Sequence, residues 1–375
     1  MRVGLNATCF NDRPSGAKQR FVGIYGELIR RCADIQFFIY EPADCRVAGW
    51  FDGAPNVAAR RTPIPSAGRV QRIWKGLGCW PGMFAEDRLD IFENFHLPMV
   101  RARNAANLLT MHDLRDGLPG SPFVKRIAYL NILRRALRSA DQIIAVSNAI
   151  KAQLLSIVPE SKVTTVYNGI DSAGFASVGE RAAEATRRKY ALSGQFILAV
   201  GHLERRKNYR RLVAAIARLR DQGLPSTLLI VGNDGGDGPA IGAEVDRLGL
   251  AGRVRILGGI SDAELAEIYS LCSLVVFPSC YEGFGIPLLE AMAARRPLVL
   301  SDIPVFRELT EGQGTYFPPK RPDIMADVLA SMMADPERQR RSIDYGMARV
   351  RDFAFPKLAA QVEQLYRIAA RSRGA

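Results

Sequence analysis

The sequence predicts an α/β protein built from two doubly wound units, each a parallel sheet covered by helices, on three observations. A chain of 375 residues is too long for one ordinary hydrophobic core and fits about two domains. Short apolar runs alternate with segments of helical spacing in both halves, the pattern of parallel strands joined by crossover helices. Between the halves, residues 172–192 are small, polar and charged with little strand character, and read as a linker. The expected domains are therefore 1–175, 190–352 and a terminal segment 353–375 that crosses back to the first half.

The elements follow in order. Val3–Ala7 reads as a short buried strand, and Gln19–Arg31 as a helix with Phe21, Ile24, Tyr25 and Leu28 on one face. Gln36–Tyr40 is a strand, while Asp90–Glu93 and Ala106–Met111 are strand ends followed by polar residues. Gln142–Ser147 is a strand whose Ser147 caps the next helix, and Lys162–Tyr167 closes on the turn Asn168-Gly169. After the linker come strands at Gln195–Val200, Ser226–Val231, Arg253–Leu257, Leu274–Pro278 and Pro297–Ser301. Helices at Tyr209–Arg220, Ala240–Leu248, Asp262–Leu271 and Pro287–Ala294 alternate with them, and Phe355–Arg373 is a closing amphipathic helix. Three of these strands run straight into Gly201, Gly232 and Gly258, at the edge where open α/β sheets receive ligands. Two such units on one linker predict a cleft suited to a substrate with two different ends.

Composition narrows the partners. With 48% hydrophobic and 24% charged residues the chain is globular. The six cysteines are scattered without paired spacing, which points to reduced thiols in a cytoplasmic protein and to no zinc site. No apolar run is long enough to span a bilayer, and the first residues are too briefly apolar for a signal peptide. The net charge of +13 is spread over both halves and no nucleic-acid signature accompanies it. Anionic small molecules and the anionic inner face of the cytoplasmic membrane remain. Val124–Arg138 and the stretch around Arg69–Lys75, with Trp74, are basic amphipathic helix candidates; each reads either as a solvated helix packed on the core or as a membrane contact.

The residues that could carry chemistry cluster in the second half. Glu282 and Glu290 bracket Gly283, Phe284, Gly285, Ile286 and Pro287, a Gly-rich loop that opens a helix after an apolar strand. Free N–H groups and the helix dipole there suit a diphosphate, and the carboxylates suit the hydroxyls of one ligand. Arg206 and Lys207 follow another strand end, where a guanidinium and a point charge can meet the same phosphates. In the first half, Ser15 and Gly16 lie in the loop after the first strand, and His112 follows Leu108–Met111. No Asp-x-Asp pair or His/Cys cluster offers a metal site, so neither metal nor cofactor is expected.

From Met1 to about Tyr366 the chain resembles the family 4 retaining glycosyltransferases of the GT-B fold, whose two Rossmann-like domains face each other across a cleft. The strongest match is the E-x7-E element at Glu282 and Glu290; Val200-Gly201, Arg206-Lys207-Asn208, Asn168–Asp171, Ala145–Ser147 and Leu289–Ala293 add to it. The resemblance implies that Glu282 holds the donor sugar and Glu290 the ribose. Gly283–Pro287 would lie along the sugar and diphosphate, Arg206 and Lys207 on the phosphates, and Ile260 near the base. Ser15 and Gly16 would match the family's N-terminal loop and His112 its histidine. His202 stands where many members carry Arg, a single Gly16 where several carry two glycines, and Phe355-Pro356 where Trp is common. Thr110–Leu114 with Arg206–Asn208 looks like bacterial surface-polysaccharide mannosyltransferases. The implied activity is hexosyl transfer from GDP-mannose, or alternatively a UDP-hexose, to a saccharide or polyprenyl-linked saccharide. A GT-B nucleotide-sugar epimerase and a non-catalytic sugar-nucleotide binder are the readings from other classes.

Overall fold

The computed structural model describes residues 1–51, 53–117, 123–224 and 227–374. The chain divides into two compact units, one of Met1–Gly169 with the residues from Phe355 on, the other of Ile170–Ala354.

The first unit is a seven-stranded parallel sheet among the described residues. Its strands are β1 (Arg2–Asn6), β2 (Gln36–Glu41), β3 (Val57–Arg61), β4 (Ile91–Asn94), β5 (Ala106–Met111), β6 (Gln142–Ala145) and β7 (Val163–Thr165). They lie in the order β3-β2-β1-β4-β5-β6-β7, so the winding reverses between β1 and β4, with Val3 opposite Phe37 on one side and Ile91 on the other. Val3, Leu5, Ile39, Leu108 and Ile144 pack against Phe21, Tyr25 and Leu28, and against Leu358, Val362 and Tyr366 of the terminal helix Phe355–Gly374. The helix expected over Gln19–Arg31 is interrupted: α-helical Gly16–Arg20 passes through a π-turn at Phe21–Tyr25 into Gly26–Arg31. At Gly23 in that turn a Cβ would lie 2.1 Å from the Phe355 ring, and at Gly169 2.3 Å from it, so both glycines make room for one aromatic. Strand β3 was not among the expected strands, because Arg60 and Arg61 give this edge strand a polar, half-exposed profile.

The second unit carries a six-stranded parallel sheet among the described residues: β8 (Ile197–Val200), β9 (Leu228–Val231), β10 (Val254–Leu257), β11 (Leu274–Phe277), β12 (Leu298–Ser301) and β13 (Tyr316–Phe317). Its order, β10-β9-β8-β11-β12-β13, reverses between β8 and β11. Ser226, the expected start of β9, lies outside the described residues. The stretch read as a linker contains two helices, Ala173–Ala176 and Glu180–Lys189. The second buries Ala183 and Thr186 and is tied to helix Asp262–Leu271 by Thr186 on Glu267 and by Lys189 Nζ on Glu264 at 2.5 Å. Short, polar and helix-forming, it hides few apolar side chains, which is why its pattern resembles a linker.

Candidate functional site

Loops leaving β8 and β11 meet at the second unit's winding reversal, where an open sheet leaves room for a ligand at its strand ends. After β8 the chain passes Gly201, whose φ of +142° suits glycine. A Cβ there would also stand 2.9 Å from Lys207 Nζ and 3.1 Å from the Tyr209 hydroxyl. A 3-10 turn at Arg205–Lys207 then ends on Asn208 in the left-handed region. Asn208 Nδ2 donates to Pro278 O at 2.9 Å and Pro319 O at 2.7 Å, and Cys280 N donates to Arg206 O at 2.8 Å. These bonds lock the two loops together.

Glu282 sits at the centre, buried. Its Oε2 lies 2.5 Å from Arg206 Nη1, and its Oε1 accepts from Lys207 Nζ and the Ser279 hydroxyl, each at 2.7 Å. Burial alone would push this carboxyl up, but Lys207 and Arg206 beside it hold it below the usual carboxylate range. Arg206 is in turn gripped by Glu204, Nε to Oε2 at 2.6 Å. Burial pulls its guanidinium down, yet Glu282 and Glu204 leave it raised and firmly charged.

Gly285, at φ +114°, caps helix Ile286–Ala293, with Pro287 in the first turn. The first amides of this helix have no partner within it, and its dipole favours an anion at that end. Glu290, within the helix and buried, accepts from the Tyr269 hydroxyl at 3.1 Å. Burial pushes it up to about 7, helped by Asp262 and opposed by Tyr269. The paired carboxylates thus differ: Glu282 is a fixed anion, Glu290 is poised near neutrality. Phe284 is buried edge-on against Phe353, a packing role alongside its place in the loop. Ile260 is half-buried in the loop after β10, where Asn233 Oδ1 accepts from Gly259 N at 2.9 Å and steadies the turn.

The remaining expected residues belong to the first unit. Ser15 caps helix Gly16–Arg20 by accepting from Lys18 N at 3.2 Å, and Gly16 is exposed. His112 follows β5 with its Nε2 buried and without a hydrogen-bond partner. Burial, with the positive Arg20 adding to it, pushes its imidazole down to about 3, so it stays neutral. The structure therefore brings Arg206, Lys207 and Glu282 into contact and sets Glu290 further along the following helix. Ser15, Gly16 and His112 belong to the first unit. Among the described residues no group of three or more His, Cys, Asp or Glu is placed so that it could hold a metal ion.

Three contributors were not singled out in the sequence. Ser279 lies three residues before Glu282, a turn spacing that returns a hydroxyl onto a carboxylate, and Glu204 is the acidic member of the run through Lys207. Tyr269 meets Glu290 from another helix and has no local signal.

Comparison with known proteins assigns a family to each half of the chain. Glycosyltransferase Family 4 matches residues 14–173 and Glycosyl transferases group 1 matches residues 183–349. The chain is 28% identical to O-antigen chain mannosyltransferase B of Escherichia coli over 73% of this chain and 73% of the relative. In fold it is similar to sucrose-phosphate synthase from Thermosynechococcus elongatus, with a TM-score of 0.80, 22% identity and 99% of both chains covered. It is also similar to Anabaena HepE in complex with UDP-glucose, with a TM-score of 0.75, 17% identity, and 97% of this chain and 98% of that one covered.

Proposed function

Because the chain belongs to the GT-B glycosyltransferases, with one glycosyltransferase family matched in each half, we propose that it moves a hexose with retention from a nucleotide diphosphate sugar to a saccharide acceptor. The observation that carries this reading is the ion cluster of Arg206, Lys207 and Glu282 at the reversal of the second sheet, beside the N-terminus of helix Ile286–Ala293. Two cations and a helix dipole suit the charge that grows on a departing diphosphate, stabilisation by fixed charges that need no rearrangement and no added metal. Glu282, ionised and braced by Ser279, is a rigid acceptor for sugar hydroxyls. Glu290 takes the ribose, Gly283–Pro287 lie along the sugar and diphosphate, and Ile260 lies by the base. The acceptor attacks from the face the diphosphate leaves, so neither carboxylate is a nucleophile. Ser15, Gly16 and the neutral His112 serve transfer from the first unit.

GDP-mannose is the favoured donor, supported by the likeness to an O-antigen mannosyltransferase, and the acceptor is a lipid-linked saccharide of a surface polysaccharide. The likeness to HepE with UDP-glucose keeps a UDP-hexose as the second donor. A panel of nucleotide sugars scored by thermal stabilisation decides between them, since the true donor raises the melting temperature with concentration. Lys207→Ala and Glu282→Ala should each cut GDP release in the presence of acceptor by roughly a hundredfold or more, with circular dichroism unchanged. Near-full transfer by either folded variant sinks the site, and conversion of a donor sugar without acceptor favours an epimerase.

A further inference from the structure

Glycines in the second unit let the loops after β8, β9 and β10 crowd together. A Cβ on Gly232, after β9, would stand 2.1 Å from Gly201 O, after β8. A Cβ on Gly258, after β10, would stand 3.3 Å from Asn233 Oδ1. Gly259 follows at φ +68°, in the left-handed region that favours glycine. Across this narrow gap Asn233 Oδ1 accepts from Gly259 N at 2.9 Å. A backbone N–H can be met there only by the oxygen of the side-chain amide, so the amide has one orientation. Asn233 is exposed, and its Nδ2, with two protons to give, has no partner among the described residues. The neighbouring Asp234 is committed to its own loop, where its Oδ1 accepts from Gly236 N at 2.8 Å and Gly238 N at 3.0 Å. Asn233 thus presents a donor in fixed orientation beside the turn at Gly259 and Ile260.

That turn leads through the cap Ser261 into helix Asp262–Leu271. The helix borders Glu290: the Tyr269 hydroxyl donates to its carboxylate at 3.1 Å, and Asp262 helps to raise it. The base of a nucleotide is bonded directly to its ribose. With the ribose on Glu290, the base falls beside the start of this helix, where Ile260 offers an apolar contact and Asn233 an amide. Guanine and uracil carry an oxo acceptor where adenine and cytosine carry an amino donor. A fixed Nδ2 donor complements the first two bases and sets donor against donor in the other two.

We propose, on the reading that Glu290 takes the ribose, that Asn233 is a specificity-determining residue whose Nδ2 donates to an oxo group of the base, selecting guanine or uracil over adenine or cytosine. The test is calorimetric titration of the full chain with GDP, ADP, UDP and CDP, which share the ribose and diphosphate and differ in the base. Whichever of GDP and UDP binds more tightly identifies the ring. That ligand should bind about tenfold more tightly than its amino counterpart, ADP for GDP or CDP for UDP. Asn233→Asp keeps an oxygen for Gly259 N and replaces the outward donor with an acceptor. Its added charge weakens all four ligands alike, but the ratio of oxo to amino binding should fall to about one or below. Asn233→Ala, which has neither group, should bring the ratio to about two or less, and it replaces the first variant if that one melts below wild type. A residue that only braces the turn would leave the ratio unchanged in Asn233→Asp. An unchanged ratio in a folded variant therefore overturns the proposal, as does a wild type that binds GDP like ADP and UDP like CDP. A wild type that binds none of the four overturns the nucleotide site itself, and the role of Asn233 with it.

Discussion

At the scale of single residues, the site keeps two carboxylates in opposite states. Glu282 is ionised by its cations, whereas burial leaves Glu290 titrating near 7. For Glu290 the native state holds its proton more tightly than the unfolded chain does. The stability this contributes is complete below about 4.5 and is lost as pH rises through about 7. Glu290→Gln should therefore match wild type near pH 4.5 and exceed it at pH 8, by up to about 3 kcal/mol in denaturant unfolding followed at both pH values. Parallel pH profiles for the two proteins would refute the assignment. His112 titrates the other way, neutral in the fold and protonated when unfolded, so its contribution is present above about 6.5 and fades as pH falls toward 3. Much of this chemistry was legible: Glu282, Arg206 and Lys207 stand in turns near glycines that announce a ligand, and Glu290 lies in the helix that Gly285 opens. Their grip on one another was not, because Tyr269 reaches Glu290 from a different helix and Glu282 closes on Lys207 across 75 residues.

At the scale of elements, glycines set how closely neighbours approach. Gly201 combines a left-handed φ with Lys207 at 2.9 Å from where its Cβ would be, so Gly201→Ala must push the lysine off Glu282. Donor affinity should fall at least roughly tenfold while the fold persists, as calorimetric titration with the nucleotide sugar would show. Unchanged affinity would mean that Lys207 does not hold the phosphates. Gly23 does the same between helices: Gly23→Ala drives a methyl into Phe355 and should cost about 2–4 kcal/mol, with Phe355→Leu restoring part of the loss in urea denaturation. Strand β5 was legible to the residue because Leu108, Leu109 and Met111 end abruptly at the polar His112-Asp113. Edge strand β3 and the two-residue β13 were not, since neither is long or apolar enough to stand out.

At the scale of the whole chain, the first unit is discontinuous in sequence. Glu93, buried in β4, accepts from the Tyr25 hydroxyl at 2.7 Å and also from Thr110 and from Tyr366, 273 residues further on. The helical spacing of the last segment was readable, but the partner of Tyr366 was not, because nothing local ties residue 366 to residue 93. Removing residues 355–375 should abolish the cooperative melting of the first unit and leave that of the second, followed by hydrogen exchange on each. Retention of protection in β1 and β5 would contradict this. Synthesis on the ribosome meets the same dependence as a matter of timing. Ile170–Ala354 is continuous and can fold as soon as it emerges. The earlier-made unit must wait roughly 10–40 s for the rest of the chain, at about 5–20 residues per second, with its apolar surface open. The half translated first is then the half completed last, and during that interval it is the part of the nascent chain most in need of a chaperone.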